Sequence, residues 1–113
     1  MLLDEVPVVA LELGGHRKFI VARLTDAGGR EKIVFRAQRK VSVHIDLVRD
    51  LEDEVEGSQI RVRCIGGGIM FSSAEENIIS LAGYSQKYDR EPDRASTVAM
   101  LKEAYPGFTV KPD

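Results

Sequence analysis

The chain has 113 residues, 43% of them hydrophobic and 30% charged, and a net charge of −2. That size suits a single domain, and that mixture excludes collagen-like, fibrous and low-complexity classes. The near-zero charge argues against general nucleic-acid binding, no apolar run approaches the ~20 residues of a membrane-spanning helix, and one cysteine with two histidines excludes an intrachain disulfide and a multi-histidine metal site.

Residues 6–13 are apolar and β-branched at their start, which predicts a strand. Residues 17–25 alternate, with Lys18, Ile20, Ala22 and Leu24 set against Phe19, Val21 and Arg23, a period of two that predicts a second strand. Asp26-Ala27-Gly28-Gly29 forms a turn, and residues 31–35 return as the other arm of a hairpin. Residues 42–56 change period: Leu47, Val48, Leu51 and Val55 make one stripe of a helix, with Ser42 as candidate N-cap and Gly57 at its stop. Residues 59–65 alternate again as a half-buried strand, which Gly66-Gly67-Gly68 interrupts. Met70-Phe71 is then a short extended piece, residues 72–77 a polar connection and residues 78–84 another strand. A polar loop over 85–94 leads to a helix over 95–105, which Pro106-Gly107 ends before a last short strand at 108–111. The expected fold is mixed α+β: about six strands in a mixed sheet packed with two helices, one domain over residues 1–113.

Charge is unevenly placed. Residues 17–40 carry eight Arg and Lys against Asp26 and Glu31, and residues 42–56 carry six acids against Arg49. A basic half-face on a near-neutral protein attracts a small anion; solvated strand and helix faces are the other reading of the same pattern.

His44 is the most informative position. A cap at Ser42 places it in the first helical turn, among free backbone N–H groups and the positive end of the dipole. Imidazolium is disfavoured there by ~0.3–1 kcal/mol, and a neutral imidazole serves as general base or nucleophile. The same helix end suits phosphate; a surface histidine, or one filling a core edge, is the alternative. His16 follows two glycines in a turn and reads as surface. Lys18 and Arg36 flank the hairpin, each either aimed at an anion or simply exposed. The triple glycine forms either a tight turn or an N–H nest, and it lacks the sequence of a nucleotide-binding loop. Ser85 stands at a strand end, where a hydroxyl and backbone amides can cup a phosphate. No G-x-S-x-G elbow is present.

Five short stretches together resemble the phosphohistidine phosphatase (janus/ocnus) family. They are Lys18-Phe19-Ile20-Val21; Arg36 eight residues before His44-Ile45-Asp46-Leu47; Cys64-Ile65-Gly66-Gly67-Gly68; Gly83-Tyr84-Ser85; and Tyr105-Pro106-Gly107-Phe108-Thr109-Val110. They run in the family's order and spacing from about residue 17 to 111. The resemblance implies a small mixed sheet with two helices that hydrolyses phosphohistidine in a protein or peptide, with no metal or other cofactor. It implies His44 as the catalytic histidine, acting as base or nucleophile, and Lys18 as the substrate-binding lysine. It implies Arg36 as an arginine lining the same pocket, and Ser85-Gln86-Lys87 as the segment that holds the phosphoryl oxygens. Ile69 departs from the pattern, standing where the best-known members have arginine; Lys87 and Arg94 are the candidates to supply that charge instead. A non-catalytic phosphoprotein-binding or regulatory module of the same fold is the competing expectation. The expected partner is a phosphohistidine-containing protein or peptide, not nucleic acid or membrane, and the chain is expected to be monomeric. The acids Asp4 and Glu5 in place of a basic leader, with the single thiol, lead to the expectation of a reducing cytoplasm.

Overall fold

A computed structural model describes all residues, 1–113. After one turn of 3-10 helix at Leu3–Glu5 come β1 (Val9–Leu11), β2 (Gly15–Thr25), β3 (Glu31–Ala37), α1 (Ile45–Glu54), β4 (Arg61–Ser73), β5 (Ile78–Ala82), α2 (Arg94–Ala104) and β6 (Thr109–Lys111). One six-stranded sheet contains every strand, in the order β1-β3-β2-β4-β5-β6. The outer pairs β1–β3 and β5–β6 are parallel, and the inner pairs are antiparallel. The mixed six-stranded sheet with two helices is the architecture expected from the sequence.

Alternation along β2 explains how one sheet serves two helices. Ile20, Ala22 and Leu24 join Leu47, Leu51 and Val55 in a core on the α1 side. Phe19 and Val21 join Phe35, Met70, Val98 and Leu101 in a second core on the α2 side. Both cores are built from fully or nearly fully buried side chains, each such aliphatic or aromatic group contributing ~1.5–3 kcal/mol relative to exposure. Neither helix is long and apolar enough to cross a membrane.

Two elements differ from the expectation. The helix expected over 42–56 begins only at Ile45, with His44 as N-cap in helical backbone geometry and no side-chain cap; Ser42 does not cap it. The second helix is capped instead by Asp93, whose carboxylate accepts from the Ser96 backbone N–H at 3.0 Å. The larger difference is β4. Gly66-Gly67-Gly68 does not break the chain; it lies inside one strand of 13 residues. Glycine is tolerated there because other groups approach too closely for any side chain. A Cβ on Gly66 would lie 2.1 Å from the Glu91 nitrogen, and one on Gly67 would lie 2.3 Å from the Phe19 carbonyl oxygen. A Cβ on Gly68 would lie 2.4 Å from the Ala82 oxygen. A bulge accompanies the run: Val21 pairs with Gly66 but Ala22 pairs with Cys64, leaving Ile65 as the extra residue.

Gly66→Ala is expected to destabilise the fold by at least ~2 kcal/mol, because backbone on the facing loop must move and the residue sits at φ +154°. Gly107→Ala, whose Cβ would meet nothing within 4 Å, is the near-neutral control. Urea titration checks both: the Gly66 variant should show a lower midpoint with little change in slope.

Candidate functional site

The turn between β3 and α1 delivers His44 against the glycine run. The His44 Nε2 lies 3.0 Å from the Gly68 carbonyl oxygen, and the residue is only 8% exposed. A carbonyl can only accept, so Nε2 carries the proton and donates it. The neutral ring then holds its lone pair on Nδ1. Burial, the dominant cause, pushes the imidazole below the ordinary histidine value; the Gly68 hydrogen bond opposes this, and the Lys18 charge adds to it. His44 is therefore an uncharged imidazole at neutral pH with its basic nitrogen fixed as Nδ1.

The ring forms part of the wall of a cavity of about 480 Å³. Lys18 from β2, Ser85, Gln86 and Lys87 from the loop after β5, and Ile69 from β4 line it as well. His44, Lys18, Ser85, Gln86 and Lys87 are thus brought together from three chain segments. The backbone N–H groups of His44, Ile45 and Gln86 donate to no group of the protein, and all three residues line the cavity. The Lys18 ammonium has no carboxylate partner, and that of Lys87 rests 5.8 Å from the Tyr88 ring centroid. Ser85 is fully buried; its hydroxyl oxygen accepts from the backbone N–H groups of Lys87 (3.3 Å) and Tyr88 (3.1 Å). Reciprocal backbone bonds between Ser85 and Asp89, at 3.1 and 2.8 Å, close the loop, and the Gly67 N–H donates to the Asp89 carbonyl at 3.0 Å. Ser85 consequently shapes the rim that presents the Gln86 amide and the Lys87 side chain.

Arg36 corrects the expectation that it lines this pocket. It is completely buried and forks onto Glu54, Nε to Oε1 at 3.1 Å and Nη2 to Oε2 at 2.9 Å. Its remaining N–H groups donate to the carbonyls of Phe35 (2.8 Å) and Pro7 (2.9 Å). Glu54 closes α1 and His44 opens it, so the two residues stand about 15 Å apart along a ten-residue helix. Arg36 staples the far end of α1 to the sheet. Arg94 does not supply charge to the cavity either. It is buried in a two-point pair with Glu91, both contacts at 2.8 Å, and donates to the carbonyls of Gly67 (3.2 Å) and Gly83 (2.9 Å).

Several lining residues were not expected at the cavity. Val43 and Tyr84 are 50% and 64% exposed at the cavity mouth, and Ile45 and Ile69 extend its apolar wall. An aromatic followed by Ser85 was visible; that it turns outward instead of into the core was not. The triple glycine did mark the spot, as the seat of the His44 ring instead of a nest or a turn.

The sheet and its two helices define a small α+β domain in which a buried neutral histidine shares one cavity with lysine side chains and free backbone amides. The Janus/Ocnus family (Ocnus) model matches residues 3–109, and the chain belongs to that family. Among its relatives, the sex-regulated protein janus-A of Drosophila melanogaster is 28% identical over 109 residues, covering 96% of this chain and 80% of that protein. The 14 kDa phosphohistidine phosphatase of Sus scrofa is 28% identical over 115 residues, covering 96% of this chain and 90% of that protein.

Nitrogen-15 NMR of the histidines tests the geometry directly. His44 should give a protonated Nε2 and an unprotonated Nδ1 at pH 7, and should titrate below about 6.5. Because the folded state resists protonation, this group's contribution to stability is complete above about 6.5 and falls as pH drops through the unfolded value. Glu54→Gln is expected to cost ~1–3 kcal/mol by stranding Arg36, while leaving the His44 nitrogen shifts in place.

Proposed function

We propose that this protein hydrolyses the phosphorus–nitrogen bond of phosphohistidine in proteins or peptides. The observation that carries the reading is the fixed tautomer of His44: the Gly68 carbonyl takes the Nε2 proton, leaving a basic Nδ1 on an uncharged ring in an anion-receptive cavity. Membership of the Janus/Ocnus family and the name of the Sus scrofa relative support it.

Phosphoryl transfer demands positioning and charge stabilisation more than covalent chemistry. The phosphoryl oxygens would meet Lys18, Lys87 and the free amides of His44, Ile45 and Gln86. In one route Nδ1 takes a proton from water as its oxygen attacks phosphorus. The P–N bond breaks, and the imidazolium so formed returns a proton to the leaving nitrogen, giving histidine and phosphate. In the other route Nδ1 attacks phosphorus itself as the substrate's P–N bond breaks and the leaving histidine nitrogen takes a proton from water; a second water then cleaves phospho-His44 to phosphate and free His44. Both routes need the same lone pair and the same cradle. They differ in whether labelled phosphate stays on the protein after a non-acidic quench.

His44→Ala is expected to reduce phosphate release from phosphoramidate or a phosphohistidine peptide by ~10²-fold or more, with the fold intact by circular dichroism. Residual activity above about one tenth would overturn the assignment. Lys18→Ala should lower kcat/KM at least about tenfold, more at low ionic strength where screening is weakest. A protein that binds the phosphopeptide without releasing phosphate would instead be a recognition module.

A further inference from the structure

A second cavity of about 380 Å³ continues from the first, sharing Lys18, Ser42 and Ile69 with it. Its remaining wall brings His16, Arg17 and Lys40 together, and no acidic residue lines it. The fate of the eight basic residues between 17 and 40 shows why this matters. Arg17, Arg23, Arg30, Arg36 and Arg39 are each held by a carboxylate: Glu12 (2.9 Å), Glu31 (3.5 Å), Asp4 (2.7 Å), Glu54 (2.9 Å) and Asp50 (2.7 Å). Lys32 gives its ammonium to the carbonyls of Leu3 and Val6. Lys18 and Lys40 alone have no partner, and both line this cavity. Arg17, with a side chain 9% exposed, adds a buried Nε–H that nothing in the protein accepts.

The backbone beside the cavity also lacks a strand partner on one side. β3 pairs with β2 only from Ile20 onward, so Gly15–Phe19 has a neighbouring strand on the β4 side alone. An extended chain fits along such an edge. None of the steps drawn for phosphate release uses Lys40, His16 or this edge.

We infer that this second cavity binds an acidic side chain of the phosphoprotein substrate, about two or three residues from the phosphorylated histidine in an extended segment. The inference rests on the proposed phosphohistidine hydrolysis and adds substrate selection to it. The spacing follows from ~3.3 Å per extended residue across adjoining cavities of this size. Charge complementarity selects the occupant: with Lys18 given to the phosphoryl oxygens, the Lys40 ammonium, in a cavity lined by no acid, favours a carboxylate and disfavours a basic flank.

Two chemically phosphorylated histidine peptides test it, one with aspartates two and three residues from the histidine and one with asparagines there, alongside phosphoramidate. Wild-type protein should turn over the aspartate peptide with about fivefold higher kcat/KM at low salt, the scale of an exposed ion pair, and the preference should shrink as salt rises. Lys40→Glu should abolish or reverse that preference and leave phosphoramidate hydrolysis unchanged. Equal rates for the two peptides, or a preference that survives Lys40→Glu, would sink this inference while phosphoramidate turnover keeps the function. Failure of the wild-type protein to hydrolyse phosphoramidate would remove the function and the inference with it.

Discussion

The contact on which the site depends is the one between an imidazole edge and a strand without side chains. His44 donates to Gly68, and its Cδ2 would be 3.1 Å from a Cβ on Gly67. On an ordinary strand, side chains stand perpendicular to the sheet and would hold a ring several ångströms off the backbone. The glycines let it lie flush, so the hydrogen bond sets both the ring's orientation and its tautomer. Burial and the neighbouring Lys18 charge then keep it neutral. The ring's close seat on the strand thus depends on the absence of a β-carbon at Gly67.

Two glycines of the same run, Gly66 and Gly67, hold the opposite wall. Gly66 admits the backbone around Arg90 and Glu91, and Gly67 donates to Asp89 while its carbonyl accepts from Arg94. Arg94 is satisfied by Glu91, by the Gly67 and Gly83 carbonyls and by Asp113 (3.2 Å); its guanidinium also sits 5.1 Å over the Phe19 ring. The Thr97 hydroxyl donates to Glu91 at 2.8 Å. Removing charges of this kind from water is expensive, and full pairing roughly offsets that cost. What the network contributes is fixed geometry: it ties the start of α2, the end of β5 and the middle of β4 to one another, so the 85–89 loop cannot drift from the histidine.

Much of the sheet was legible because burial on both sides imposes period two on β2 and period 3.6 on α1, and both survive in the residue order. The glycine run was not, because glycine's freedom at turns and its smallness in crowded strands look alike until the facing loop is known. Arg36 failed for a related reason. Its spacing of eight from His44 is visible, but which end of α1 it meets depends on where β3 lies in the sheet. Its bond to Glu54, 18 residues on, is a tertiary fact. His44, Lys18 and the Ser85-Gln86-Lys87 segment were found through the family's ordered motifs, since no single residue among them announces a cavity.

Ile69 shows how such a cavity can manage with few cations. With Val43, Ile45 and Tyr84 it gives the site an apolar wall. An apolar wall lowers the local dielectric, and a given charge or amide dipole then acts more strongly on a bound anion than it would in water. The arginines of the basic segment are spent on carboxylates, whose shape their planar fork matches, whereas lysine is a point charge free to turn toward an incoming oxygen. A site built from one or two lysines, unpaired amides and a neutral imidazole holds less positive charge than one ringed by arginine. In the proposed hydrolysis, phosphate as a product would therefore be held less tightly, and the added attraction for a particular protein would come from beyond the phosphoryl group, where Lys40 stands.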